Sequence, residues 1–388
     1  MRLSFGPWPA GLGRVAILPL IGSLMLLAAC SSSSQAVNKP TALTPIAAPI
    51  QIQRNWEIDL GDSAGTFLRP CVLEHTIFAA SRGKLVRLDP SSGKELWRVP
   101  VEGGIAAGVG SDGLTVAVAG PRGNVVALDA EGKQLWQAQA PSDVITPPLV
   151  GHGLVLVRST DQRITAYEAA TGKRRWVFQK QPPSLSLRVE ADIVFSGESV
   201  LVGFAGGRLG AIALDNGAAR WEAAVSEPKG ATEVERLADV IGLPGLVDND
   251  VCTASAQGRI GCFDSRNGDL HWAREFSAGA GVAVSADAVF GVDASSHVSA
   301  FQRSSGAGMW QTAALANRGL SAPVVIGKQL AMGDFEGKIL FLGTEDGKLV
   351  GRFDAGAGPL ISTPQAWNGG AVFQTARGHL LLLTPGGS

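Results

Sequence analysis

Short runs in which apolar and polar residues alternate recur along the chain, each closed by a glycine-rich turn. A period of two puts successive side chains on opposite faces of a strand, so the pattern predicts short antiparallel strands joined as hairpins. The stretch after residue 146 shows it best, with candidate strands at 147–150, 154–159, 163–168 and 175–178.

The strand pattern is itself periodic. Residues 82–97 read RGKLVRLDPSSGKELW, and 122–136 repeat this as RGNVVALDAEGKQLW. Further copies lie at 162–176, 206–221, 257–272 and 296–310, with a worn copy at 337–351 and a truncated one at 377–383. Trp97, Trp136, Trp176, Trp221, Trp272 and Trp310 end the first six copies, and Gly351 stands at the seventh position. The separations are 39, 40, 45, 51, 38 and 41 residues. A period near forty residues is one four-stranded propeller blade. The glycine ahead of the third strand is expected to supply a positive φ. The Ser/Thr/Asn-Gly pair turns the third strand into the fourth. The tryptophan offers an apolar plate between blades.

The eighth copy holds three candidate strands, 363–367, 371–375 and 379–383, and no fourth. Near the other end, 55–60 reads NWEIDL, with Trp56 41 residues before Trp97. The missing outer strand is therefore assigned to residues 56–60. The expected fold is all-β: an eight-bladed β-propeller of four-stranded antiparallel blades over 50–388, closed by the N-terminal strand joining the last blade.

Composition narrows the function classes. Lys and Arg number 33 against 34 Asp and Glu, so no basic field exists for nucleic acid. Fifty glycines, 45% hydrophobic and 17% charged residues suit a turn-rich β domain rather than disorder. Residues 1–29 carry Arg2, Arg14 and an apolar core at 15–29, the design of an export signal too short to span comfortably. The core ends Leu27-Ala28-Ala29-Cys30, followed by Ser31. This resembles a bacterial lipobox, which implies a lipidated Cys30; Ser31 in place of Asp points to the outer membrane. Residues 30–49, rich in Ser, Ala, Thr and Pro, then read as a flexible tether. Cys71 reads as a buried strand residue. Cys252 and Cys262 flank the 257–258 hairpin almost symmetrically, so they are expected to face each other across two strands. An oxidising compartment would permit a disulfide there, although directly paired strand positions sit at the short end of disulfide geometry.

Two neighbouring repeats are too long. The extra residues fall at 180–189 (KQPPSLSLRV) and 224–242 (AVSEPKGATEVERLADVIG). Each joins an outer strand to the next inner strand, so both emerge side by side on one face of the disc. Leu185 and Leu187 alternate with Ser184, Ser186 and Arg188, while Glu233, Glu235 and Asp239 share the second loop with Arg236 and Leu237. Apolar anchors beside arginine are common material of protein-binding hot spots. The SLSLR alternation also suits edge-to-edge strand addition. In the competing reading, Leu185 and Leu187 fold under the loop and pack on the disc.

With the lipobox, the Trp-anchored blades and the SLSLR and ERLADV loops, nearly the whole chain resembles the BamB family, lipoprotein scaffolds of the outer-membrane β-barrel assembly machine. The resemblance implies a non-enzymatic protein without a cofactor. It would bind the periplasmic POTRA domains of the barrel-inserting subunit BamA and assist folding and insertion of barrel proteins. The family's contact residues carry over to Leu185, Leu187, Arg188 and Asp239. The family has a further acid two positions after that aspartate; here the residue is Ile241, and Glu233, Glu235 or Asp248 are candidates to replace it. The blade motif is also similar to that of quinone-cofactor (PQQ-type) dehydrogenases. Those need a catalytic aspartate and acidic calcium ligands, and no vicinal cysteine pair or central acidic cluster is found. Asp248-Asn249-Asp250 reads as turn chemistry. The five histidines fall in separate blades without ligand spacing. A glycan-binding propeller is a further alternative.

Overall fold

The computed structural model describes residues 39–63, 68–187, 191–356, 358–360 and 362–386. Pro40–Ser388 is a compact unit. The export signal, Cys30 and Arg188 lie outside the described residues.

The unit holds eight four-stranded antiparallel sheets. Blade three consists of Leu149–Gly151, Leu154–Arg158, Arg163–Glu168 and Arg174–Gln179, within one residue of expectation except at its start. There the inner strand begins at Leu149 rather than 147, because Pro147 and Pro148 have no N–H to give a ladder. In blade eight, Ile52–Asp59 pairs with His379–Pro385 from Ile52 opposite Pro385 to Asp59 opposite His379. The N-terminal strand thus closes the ring as expected, starting earlier than residue 56.

Apolar clusters lie between adjacent blades. Leu156, Ile164 and Trp176 of blade three pack against Val200, Phe204 and Ile212 of blade four. The tryptophans tie the same seams. The indole N–H of Trp136 donates to the Ala169 carbonyl at 2.7 Å, and that of Trp176 to Leu214 at 2.8 Å. Trp56, Trp97, Trp221, Trp272 and Trp310 do likewise, each reaching the last turn of the next blade. The glycine of that turn lies under the ring. At Gly306, with φ 67°, a Cβ would stand 2.4 Å from Trp272; at Gly172, 2.6 Å from Trp136. The glycine therefore turns the chain and also clears room for the neighbouring indole.

Blade seven lacks the tryptophan for a geometric reason. Its follower is blade eight, whose last two strands belong to opposite ends of the chain and share no turn. No turn carbonyl or glycine exists there to receive an indole. Ile50 and Ile52 cover Gly351 instead, and a Cβ at Gly351 would stand 2.8 Å from Ile50.

Three expectations need amendment. The positive φ before the third strand falls on Gly123, Gly207, Gly337 and Gly378, but on Gln162, Gln257 and Ser296 in blades three, five and six. Cys71 is half-buried and free, not fully buried. The end of the expected tether belongs to the propeller unit, since Thr41 bonds to Ala316 and Leu43 packs against blades six and seven.

Candidate functional site

The two long connections leave the same end of the disc and touch. Ser184 in the first donates to Glu233 in the second. The Leu187 amide donates to Asp239 Oδ2 at 2.6 Å, and the Gly206 amide of blade four's hairpin to Oδ1 at 3.0 Å. Ala191 and Gly242 form a parallel bridge, and the Asp192 amide donates to the Gly242 carbonyl at 3.1 Å. The two connections thus form one backbone-laced surface.

The predicted residues divide by role. Leu185 is 42% exposed and points outward. Leu187 is half-buried against the blade-five core of Ile241, Cys252 and Cys262. Leu187 thus packs on the disc, as the competing reading expects, while Leu185 does not fold under the loop. Asp239 is only 4% exposed, and both its oxygens are taken by backbone amides. It braces the surface rather than standing on it. Val234, not singled out from sequence, is 59% exposed on the second loop and adds an apolar anchor.

Within the second loop, Glu235 accepts from the Ala231 and Thr232 amides at 2.7 and 3.0 Å, and Thr232 Oγ1 accepts from the Glu235 amide. These reciprocal bonds make a capping box, and the Thr232 and Ala231 amides hold the Glu235 carboxyl below its usual range. Arg236 donates to the Gly230 carbonyl at 3.0 Å and to Glu233 at 3.3 Å. The charges at 233–236 thus shape the loop that lifts Val234.

Of the candidates to replace the missing acid, Asp248 is ruled out. It sits in the hairpin after Val240–Val247, at the opposite end of the blade, 3.3 Å from Arg303. Glu233 and Glu235 lie in the second connection, at the end of the disc where the two loops meet. Ile241 lies inside that same strand and is buried in the blade-five core, where a carboxylate would meet apolar side chains.

Beneath the loops lies a cavity of about 210 Å³ lined by Thr146, Arg158, Gln162, Leu187, Asp239 and Val240 among others. The buried Arg158 donates to the Ala191 carbonyl and to Gln162 Oε1. Burial lowers its guanidinium to about 10, against the opposing charges of Asp192 and Asp239. Asp192 is in turn ion-paired with Arg69, which precedes the first strand of blade one. So Leu187 is held by Asp239, Ala191 by Arg158 and Asp192 by Arg69. Sequence reasoning missed Arg158, Arg69 and Asp192. They lie outside the two insertions, and nothing in the repeat distinguishes them.

Cys252 and Cys262 are directly paired and joined by a disulfide, with Cα atoms 4.0 Å apart. The bond lies in the core on which Leu187 rests. Among the described residues no group of three or more His, Cys, Asp or Glu is placed to hold a metal ion. His271, His297 and His379 each pair with a single nearby carboxylate.

The closed ring of eight four-stranded sheets, with one face enlarged by the braced loops, defines an eight-bladed β-propeller. Residues 81–312 match the model of a family described as the outer membrane protein assembly factor BamB. The chain belongs to that family. It is 40% identical over 368 residues to the Bordetella pertussis assembly factor, covering 94% of this chain and 95% of that one. The Burkholderia pseudomallei factor is 36% identical over 344 residues, with 88% and 90% covered. The crystal structure of BamB from Moraxella catarrhalis superposes with a TM-score of 0.79 at 28% identity, covering 86% of this chain and all of that one. A quinohemoprotein alcohol dehydrogenase from Pseudomonas putida, at 12% identity and a TM-score of 0.66 over 87% of this chain and 76% of its own, shares the fold alone. The relatives are assembly factors, and the chain is not an enzyme.

Proposed function

We propose that the protein is a scaffold of the outer-membrane β-barrel assembly machinery, anchored to the periplasmic face of the outer membrane through lipidated Cys30. The paired loops bind the POTRA domains of BamA, and through them the rest of the complex, and assist folding and insertion of barrel precursors. The observation that carries this reading is the single surface made by the two connections. Leu185 and Val234 stand exposed on it, over a base fixed by Asp239 and Arg158. A preorganised base reduces the ordering cost of binding. Truncating a central apolar anchor or its neighbouring arginine costs about 1–2 kcal/mol each. Leu185→Ala with Arg188→Ala should therefore weaken co-purification with BamA at least about tenfold, with an unchanged circular-dichroism spectrum. Undiminished co-purification by the folded double variant would refute the assignment.

A further inference from the structure

We infer that residues 40–50 form a strap that makes the chain leave the propeller at the loop-bearing end and so turns the docking face toward the membrane. The inference rests on the proposed lipid anchor at Cys30. Several contacts fix the strap. The Thr41 amide donates to the Ala316 carbonyl at 2.9 Å, and Arg318 Nη1 donates to the Thr41 carbonyl at 3.0 Å. Arg318 is itself buried, with its Nε 2.8 Å from Asp334 and a further pair to Glu336. Leu43 packs against the cluster that holds Trp310, Leu315 and Leu320. At the far end the Ile50 amide donates to the Val350 carbonyl at 2.9 Å.

Topology gives the strap a direction. Ala316 and Arg318 lie in the connection from the outer strand Gly308–Thr312 to the inner strand Val324–Ile326. Every such connection emerges at the end that carries the long loops. Val350 lies at the start of Leu349–Asp354, close to the opposite end. The strap therefore runs down the outside of blade seven, over the position the absent tryptophan leaves open, before Ile52–Asp59 climbs back. Its upper end, Pro40, sits at the loop-bearing end.

Chain length turns this into an orientation. From Cys30 to Pro40 the backbone can extend at most about 35 Å. Presenting the opposite face to the lipid would require those residues first to descend a blade. A six-residue strand alone is about 20 Å deep, before its hairpins are added. Loop end toward the bilayer spends none of the available length on that descent, whereas loop end away spends more than half of it.

The test uses the full lipoprotein in phosphatidylethanolamine–phosphatidylglycerol vesicles carrying a headgroup energy acceptor. Donor dyes are placed by Lys229→Cys in the second long loop or by Asn249→Cys at the other end of the same blade. Both variants also carry Cys71→Ser, which removes the free thiol, and Cys252 and Cys262 are bonded. Transfer from position 229 should exceed that from 249 by at least about twofold, given the steep distance dependence over a 20 Å difference. Freeing the strap with Thr41→Pro and Leu43→Asp should shrink the difference. Equal or greater transfer from position 249 would overturn the strap inference. Flotation of a Cys30→Ser variant with the vesicles would instead overturn the anchor on which it rests.

Discussion

At the residue scale, Asp239 shows how a buried side chain can fix the shape of an exposed surface. Its carboxylate accepts one amide from each of two segments. An asparagine keeps one acceptor oxygen and turns its amino group toward the other N–H. An unsatisfied buried donor costs about 1–3 kcal/mol. Asp239→Asn is accordingly expected to lower the melting temperature and weaken BamA binding, although position 239 is buried. Thermal melting and a binding isotherm on the same sample check this; a loss of binding without loss of stability would make Asp239 a direct contact. The sequence brought Leu185, Leu187, Arg188 and Asp239 together as a set. It did not separate the exposed Leu185 from the tucked Leu187, because alternation places both on one face, whereas the segment is irregular with a bend at 184–185. Val234 lay hidden in a run of charges whose capping box lifts it outward.

At the element scale, each blade is legible because one tryptophan, one turn carbonyl and one glycine recur together. Gly306→Ala tests the unit. The new methyl would enter space that Trp272 occupies, at a φ of 67° that disfavours any Cβ. A loss of about 2 kcal/mol or more is expected, measured by denaturant midpoint. An unchanged midpoint would mean that the indole is not seated on the turn. The missing tryptophan of blade seven was visible as Gly351, but its reason was not. That reason depends on where the ring closes, a relation between the two ends of the chain. The cysteine pair was legible as facing positions from its symmetry about the 257–258 turn, and the structure adds the bond. The strap was misread for a compositional reason. Proline, alanine and threonine carry no strand period, and the apolar Leu43 and Ile50 are too sparse to signal burial.

At the scale of the whole molecule, ring closure gives the two insertions their meaning. Consecutive outer-to-inner connections emerge at one end, so adjacent long ones merge into one surface. The braces beneath that surface reach beyond the insertions: Asp239 to blade four's hairpin, Arg158 from blade three, and Arg69 from the edge of blade one. These were not legible because they depend on proximity across the ring rather than along the repeat. The central claim is that this surface is where the partner docks. The most direct measurement is calorimetric titration of the full chain with the periplasmic region of BamA, comparing wild type with Leu185→Ala combined with Val234→Ala. Both side chains stand exposed, so folding should be unaffected. If the surface docks BamA, affinity should fall at least about tenfold, the loss expected for removing two apolar anchors. Equal affinity in the two proteins would contradict the account.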